Sequence, residues 1–264
     1  MLRKKVYILI KETGAKIFTP KGKNSWVQKE ISFGGHNLSN INEIENLQEA
    51  LSETPKLKWL KLTGELRVVI NSSRTAVRIA KLPGDKPLKP DDEWVLVEES
   101  FPIGGKMNET THVFDGSIFS NNIRTEERRF LMAALPIGIC EAAGKLGEAI
   151  FGRPKCIDII EHMVMRHYAD CAQDVMLILL PQDEGLRILH MVRGLPHEVY
   201  AISKTPDIRE DELSRIWQGL LEDIPSRVIL LDSCSDSEWT WVQKFFEDRE
   251  ISVETEIFEF TKFI

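Results

Sequence analysis

A continuous apolar run in the C-terminal half limits the fold more than any other feature of the sequence. Residues 174–180 read Asp-Val-Met-Leu-Ile-Leu-Leu, a run typical of a strand that is buried on both faces of a sheet. Strands of this kind occur where helices cover both faces of a largely parallel sheet. The run therefore indicates an α/β architecture.

The segments around this run give the C-terminal half a definite order of elements, β-β-β-α-β-α-β. The other predicted elements are a turn at 181–185, strands at 186–192, 198–203, 227–232 and 251–260, and helices at 209–222 and 236–249. The helix at 209–222 carries an apolar stripe with a spacing of about 3.6 residues. In the strand at 186–192, apolar and polar residues alternate.

The N-terminal half repeats the beginning of that order. Its predicted elements are strands at 6–10, 15–19, 26–33, 66–70 and 76–82, with a helix at 40–52. The repetition is one of element order and not of sequence.

The middle of the chain is less regular. Its predicted elements are a helix at 90–101, strands at 111–115 and 129–135 around a polar connection at 120–127, and a helix at 137–151. Periodicity leaves residues 154–160 open between a buried strand and the first turn of a helix that runs to Tyr168.

Composition is that of a globular protein. The 264 residues suffice for two lobes of about 100–150 residues each, and a net charge of −7 argues against nonspecific binding to nucleic acid or anionic lipid. No apolar run approaches the roughly 18–20 residues that span a bilayer, and no signal peptide is recognisable. We therefore expect a cytoplasmic protein whose cysteines are reduced, namely Cys140, Cys156, Cys171 and Cys234.

Three groups of segments carry a resemblance to a known family. They are the helix at 44–51 with strands 67–73 and 77–83 and the helix at 90–99; the strand at 129–135 with the helix to Phe151 and the strand at 156–159; and the two strands within 176–196. Together they resemble the PilM family of type IV pilus assembly and the cytoplasmic domain of the type II secretion protein GspL.

This resemblance implies an α/β, actin-like (ribonuclease H-like) fold with two lobes, each built on a mixed sheet flanked by helices. The lobes are expected at 1–153, with an inserted subdomain at about 83–128, and at 154–264. Residues 137–168 are expected to cross between them.

The family's nucleotide site implies a vestigial nucleotide cleft here. In the family, two tight hairpins carry Asp-x-Gly, and a later Gly-Gly turn holds the adenosine. The matching positions are Glu12, Thr13 and Gly14 in the first hairpin, Asp183, Glu184 and Gly185 in the second, and Ser233, Cys234 and Ser235 at the third turn. The acid is shifted in the first hairpin, a phosphate would meet two carboxylates in the second, and glycine is absent from the third. We therefore expect no catalytic residue and no bound cofactor beyond weak ATP and magnesium.

Other chemistry finds little support in the sequence. His162 and His167 are five residues apart, which does not suit a helical zinc pair. His167 and Cys171 could share a helical face, but nothing completes a set of four ligands, so no metal site is expected. Glu161 is interpreted as a helix surface residue and not as a general base.

The predicted helix at 90–101 is the candidate partner site. Trp94, Val97 and Phe101 are expected to offer apolar anchors beside several acids, and the resemblance places a partner's N-terminal peptide at this subdomain. The chain is thus interpreted as a non-catalytic scaffold, recruited to the inner membrane face by the cytoplasmic peptide of a bitopic membrane protein. The assembly ATPase is a second candidate partner.

Two alternatives remain open. One is a divergent actin-, Hsp70- or sugar-kinase-like ATPase, and the other is a polymerising actin-like filament protein. Both need a working nucleotide site, so the altered hairpins count against each of them.

Overall fold

A computed structural model of the chain describes residues 4–21, 25–33, 38, 64–82, 89–101, 107–121, 124–170, 175–220, 224–232 and 239–264. The chain divides into two compact units. The first unit comprises Met1–Ala76, Ile103–Phe114 and Ala134–Ile160, and the second comprises Val77–Pro102, Asp115–Ala133 and Glu161–Ile264. The lobe boundaries expected from the sequence stay a prediction.

The first unit is built on a five-stranded mixed sheet. Its strands are β1 (Lys4–Ile10), β2 (Gly14–Pro20), β3 (Trp26–Ser32), β4 (Gly64–Ile70) and β8 (Cys156–Ile159). They lie in the order β3-β2-β1-β4-β8. The first three strands pair antiparallel as consecutive hairpins, whereas β4 pairs parallel with both β1 and β8. Val6, Ile8 and Ile10 are all fully buried.

The second unit contains a five-stranded sheet of the same design. Its strands are β9 (Val175–Gln182), β10 (Gly185–Val192), β11 (Leu195–Ser203), β12 (Arg227–Asp232) and β13 (Val253–Ile257). They lie in the order β11-β10-β9-β12-β13. Numbered from its own first strand, each sheet therefore has the same strand order and the same mixture of antiparallel and parallel pairs.

The core of this second sheet explains the apolar run that dominates the sequence. Residues 176–180 of β9 are all buried, as predicted. Helices α4 (Pro206–Gly219) and α5 (Thr240–Glu247) contribute Leu213, Val242 and Phe246 to one apolar cluster with the strands. Each fully buried large apolar side chain contributes about 1.5–3 kcal/mol to folding.

A third sheet has three strands, in the order β5-β7-β6. These are β5 (Ala76–Lys81), β6 (His112–Asn121) and β7 (Arg124–Pro136), and helix α1 (Pro90–Ser100) belongs to the same part of the chain. The polar connection predicted at 120–127 was wrong, because β6 continues to Asn121 and β7 begins at Arg124. The two strand ends were not predicted because the polar residues there break the alternation of apolar and polar residues that is typical of a half-buried strand.

The segment at 154–160, for which the sequence allowed either a strand or a helix, contains parts of both. Strand β8 ends at Ile159, and helix α3 (Ile160–Ala169) begins at the next residue. It follows helix α2 (Ile137–Ile150), which the sequence predicted.

The predicted strand at 251–260 is shorter in the structure. It is confined to Val253–Ile257, and a 3-10 helix follows at Phe260–Lys262. The helix predicted at 40–52 lies outside the described residues.

None of the helices in the described ranges has the length and apolar character that crossing a lipid bilayer requires.

Candidate functional site

The turn between β1 and β2 belongs to the first unit and holds Glu12, Thr13 and Gly14. It is closed by a backbone hydrogen bond from Lys11 N to Gly14 O at 2.8 Å, and the Thr13 carbonyl accepts the amide of Phe33 at 3.1 Å. A Cβ on Gly14 would lie 2.6 Å from the carbonyl oxygen of Ile31. Glycine is therefore required here by the close approach of β3.

Glu12 points into the first unit. It is 6% exposed, and its carboxylate accepts a hydrogen bond from the Ser72 hydroxyl, which follows β4. The Glu12 carbonyl accepts the amide of Leu38 at 2.7 Å. A buried carboxylate needs such partners, because leaving water without them costs several kcal/mol. The hairpin acid is thus engaged inside its own unit.

The turn between β9 and β10 belongs to the second unit and has a different surface. Asp183 and Glu184 are both exposed, whereas Gly185 is buried. A Cβ on Gly185 would collide with the carbonyl oxygen of Ile202 on β11. The turn therefore presents two carboxylates to solvent, an arrangement that repels a phosphate group.

The third predicted element of the nucleotide cleft, Ser233, Cys234 and Ser235, lies outside the described residues. The vestigial nucleotide cleft as a whole stays a prediction.

A buried polar cluster lies behind the second turn, and the sequence did not predict it. Gln182 Nε2 donates to Glu161 Oε1 at 3.2 Å, and Arg187 Nε donates to Gln182 Oε1 at 3.1 Å. Arg187 Nε also lies 3.5 Å from Glu161 Oε1. The interpretation of Glu161 as a surface residue was wrong, since it is 0% exposed and Arg187 is 6% exposed.

Burial dominates the electrostatics of this cluster. It lowers the pKa of Arg187 from its ordinary value, although the Glu161 carboxylate acts in the opposite direction. Both side chains are consequently held as a desolvated ion pair bridged by an amide. A signal existed in the sequence, because Gln182 ends the apolar run of β9 and Arg187 stands among apolar residues in β10.

The candidate partner residues lie on and just after helix α1. Val97 and Phe101 are 7% and 3% exposed, so both side chains are buried. Trp94 is half-buried, and its Nε1 donates to Glu98 Oε1 at 2.9 Å. The expected three-residue surface therefore reduces to Trp94, because the other two side chains are used for packing. Partner binding at this helix stays a prediction.

Metal ligands are not brought together in the part of the chain that the structure describes, where no group of three or more His, Cys, Asp or Glu side chains could hold an ion. Cys171, expected as a possible neighbour of His167, lies outside that part.

No family model and no curated protein matches the chain, but solved structures match it along nearly its whole length. A Bacteroides thetaiotaomicron protein with an actin-like ATPase fold and unknown function is 12% identical, covers 96% of this chain and 91% of its own, and superposes with a TM-score of 0.60. The chain has the actin-like ATPase fold, as predicted.

Within that class, the chain is similar to a structure from a pilus system. A chain of the PilM–PilN type IV pilus biogenesis complex is 15% identical, covers 96% of this chain and 88% of its own, and gives a TM-score of 0.63. The resemblance to PilM that the sequence suggested is thus confirmed as a likeness of fold.

Proposed function

We propose that this protein is a non-catalytic, cytoplasmic scaffold of a type IV pilus or type II secretion machine. In this role it binds the cytoplasmic peptide of a bitopic inner-membrane protein and is recruited to the inner membrane face by that partner. The observation that carries the proposal is the likeness to PilM in its complex with PilN, which extends over 96% of this chain.

The two hairpin turns support the non-catalytic part of the proposal. Metal-dependent phosphoryl chemistry needs carboxylates that are free to hold the ion and its water. The Glu12 carboxylate is instead occupied by the Ser72 hydroxyl. At the second turn, the exposed charges of Asp183 and Glu184 oppose a bound phosphate.

Calorimetry with ATP and magnesium tests this part. We expect no binding in the micromolar range for the wild type. A matched variant carrying Asp183→Ser and Glu184→Ser removes both charges without touching Gly185, so any residual affinity should rise in it. A dissociation constant of order 1 µM, about −8 kcal/mol, in the wild type would contradict the proposal and favour the divergent ATPase.

Helix α1 supports the partner-binding part. Trp94 has a half-buried ring, and Asp92, Glu93 and Glu99 are exposed on the same helix. The segment of a bitopic protein just inside the membrane is commonly rich in Lys and Arg, which these acids would complement. Aromatic anchors carry a large share of binding free energy, and exposed acids mainly set the association rate and its salt dependence.

Capture of solubilised inner-membrane proteins by the immobilised protein tests this site. We expect Trp94→Ala to weaken capture by roughly 2 kcal/mol, close to thirtyfold. Val95→Ala is the matched control, because Val95 is the next residue on the helix and is 50% exposed. If both variants are folded and capture the same proteins equally well, the partner binds elsewhere.

A further inference from the structure

A groove with a volume of about 710 Å³ lies within the second unit. One wall is strand β11 from residue 197 to residue 201, and helix α4 adds Glu212, Arg215 and Ile216. Arg78 and Ile79 of strand β5 also line it. The proposed function makes no use of this groove.

The groove runs along the free edge of β11. Five consecutive residues line it, although successive side chains of a strand point to opposite faces of a sheet. Consecutive residues can share one groove only where it meets the strand's edge. In the described sheet, β11 is the terminal strand and pairs with β10 alone.

The backbone at this edge points into the groove at alternate residues. The amide of Ser203 donates to Glu212 Oε2 at 2.9 Å, so it faces away from β10. The amide of Lys204 donates instead to Glu184 O at 3.2 Å, toward the hairpin. Both backbone groups of a strand residue point the same way, and the direction alternates along the chain. Val199 and Ala201 therefore present their N–H and C=O groups to the groove.

The rest of the edge is protected. Exposed strand edges are commonly guarded by proline, bulges or charged side chains, because a free edge templates pairing with another strand. Here Pro196 lacks an amide hydrogen, a register shift at His190/Met191 interrupts the strand beside it, and Glu212 covers the Ser203 amide. The unguarded stretch of β11 coincides with the groove.

A second strand edge contributes to the lining of the groove. Strand β5 is terminal in the described three-stranded sheet. The amide of Leu82, just beyond it, donates to Arg128 O of β7 at 3.1 Å. By the same alternation, the backbone of Ile79 points away from β7, toward the groove that it lines.

In the groove, the acidic side chains already have hydrogen-bond partners, whereas the arginines can still bind a ligand. Its two carboxylates are engaged, since Glu198 accepts the Tyr200 hydroxyl at 2.8 Å and Glu212 accepts the Ser203 amide. Arg78 and Arg215 are exposed, and neither forms an ion pair with a described residue, although Arg78 Nη1 donates to the carbonyl of Val77 at 2.9 Å. The other N–H groups of Arg78 and the guanidinium of Arg215 are thus available to carboxylates of a ligand.

We propose that this groove binds an extended acidic peptide segment of a partner protein, which adds as a strand to the free edge of β11 and places its carboxylates against Arg78 and Arg215. Addition of a strand to a sheet edge is an established way of recognising peptides, in which main-chain hydrogen bonds give the affinity and side chains give the specificity. The site differs in charge preference from helix α1, whose acids suit a basic peptide, and it does not depend on the proposed membrane partner.

The probe is a fluorescein-labelled hexapeptide of alternating Thr and Val with Asp at both ends, and its binding is followed by fluorescence anisotropy. We expect a dissociation constant below about 1 mM and at least tenfold weaker binding of the matched peptide with Lys at both ends. Arg215→Glu should weaken binding of the acidic peptide at least tenfold. Arg153→Glu, which reverses an exposed charge in the first unit, should leave binding unchanged.

The backbone part of the proposal has its own test. Ala201→Pro removes one edge amide, and we expect it to abolish binding and to remove the peptide-dependent slowing of amide exchange at Val199. Should that variant fail to fold, the same hexapeptide methylated at alternate backbone nitrogens gives an equivalent test on the wild-type protein. We expect the methylated peptide not to bind.

Several results would overturn the proposal. They are no binding of the acidic peptide at 1 mM, equal binding of the acidic and basic peptides, and equal binding of the methylated peptide. A wild-type dimer in sedimentation that Ala201→Pro dissociates would also overturn it, because the occupant of the edge would then be a second copy of this chain.

Discussion

Replacing Arg187 by Met is expected to destabilise the second unit by about 3–5 kcal/mol, because it leaves the carboxylate of Glu161 buried without its cation. Glu161 is 0% exposed and Arg187 is 6% exposed. The guanidinium Nε lies 3.5 Å from Glu161 Oε1, and Gln182 bridges the two groups by hydrogen bonds of 3.2 and 3.1 Å. Neither charge can recover its hydration when the other is removed.

The pair itself is expected to contribute little net stability. Burial is the main cause that lowers the pKa of Arg187; the charge of Arg78 also lowers it, and the Glu161 carboxylate acts in the opposite direction. Desolvation thus offsets much of the attraction within a buried pair. Replacing both members of such a pair by apolar residues is often neutral. The double variant Glu161→Leu with Arg187→Met still leaves the Gln182 amide short of two partners, which costs about 1–3 kcal/mol.

The prediction is therefore strong non-additivity. Each single variant should lose about 3–5 kcal/mol, whereas the double variant should lose about 1–3 kcal/mol. The interaction free energy from the double-mutant cycle should then be at least about 3 kcal/mol, at the upper end of what contacting residues show.

Urea unfolding provides the measurement, because Trp239 is 6% exposed in the apolar core of the same unit and reports on its unfolding by fluorescence. Arg166→Met is the matched control. Arg166 lies on the same helix as Glu161 but is exposed, so its replacement should change stability by less than about 0.5 kcal/mol. A cost below about 1 kcal/mol for Arg187→Met, or additive single and double costs, would refute the reasoning.

Three further predictions concern single side chains. Gly185→Ala should destabilise the protein by about 1–3 kcal/mol in urea unfolding, because the new Cβ meets the carbonyl of Ile202. Burial, followed by the charge of its neighbour in sequence, raises the pKa of Cys140 to about 11, so site-resolved alkylation at pH 8 should be at least about a hundredfold slower there than at an unperturbed thiol. Hydrogen bonds from Arg227 lower the pKa of Glu254, so this carboxylate stabilises the fold above its unfolded pKa of about 4.3 and loses that effect as the pH falls through its folded pKa. Because both side chains are partly exposed, Glu254→Gln should cost at most about 1 kcal/mol at pH 7 and progressively less in thermal unfolding as the pH is lowered below that unfolded pKa.

The sequence predicted the sheets better than it predicted their polar residues. The run in β9 is buried on both sides, so every residue in it carries the same signal. In the next strand, β10, two polar residues stand among apolar ones, a pattern that predicts a strand with one solvated face. Its polar residues Arg187 and His190 are nevertheless 6% and 2% exposed. The pattern of apolar and polar residues along a strand shows which residues are polar. It does not show whether a residue distant in sequence, such as Glu161, provides a buried partner for them.

In the candidate site, too, the sequence predicted some features and missed others. That the hairpin acids are unusual could be predicted from their order along the chain. The hydrogen bond that engages Glu12 could not, because its donor, Ser72, lies 60 residues away. For Phe101, the sequence shows an aromatic residue near acids. A phenylalanine that packs in the core and one that anchors a partner are the same residue in the sequence, so only the fold distinguishes the two roles.

The two hairpin glycines occupy matching places in the two sheets, which indicates why glycine is required at these turns. Gly14 pairs with Ser32 and Gly185 pairs with Ser203. In each case a Cβ would strike the carbonyl of the residue before that serine, in the third strand of the sheet. The close packing of the third strand is thus sufficient to require glycine at both turns, with or without a phosphate to bind. The acids near these glycines differ between the two turns, since Glu12 is buried against Ser72 whereas Asp183 and Glu184 are exposed. A glycine variant at these turns therefore measures the stability of the sheet, and the proposed loss of nucleotide binding has to be tested at Asp183 and Glu184.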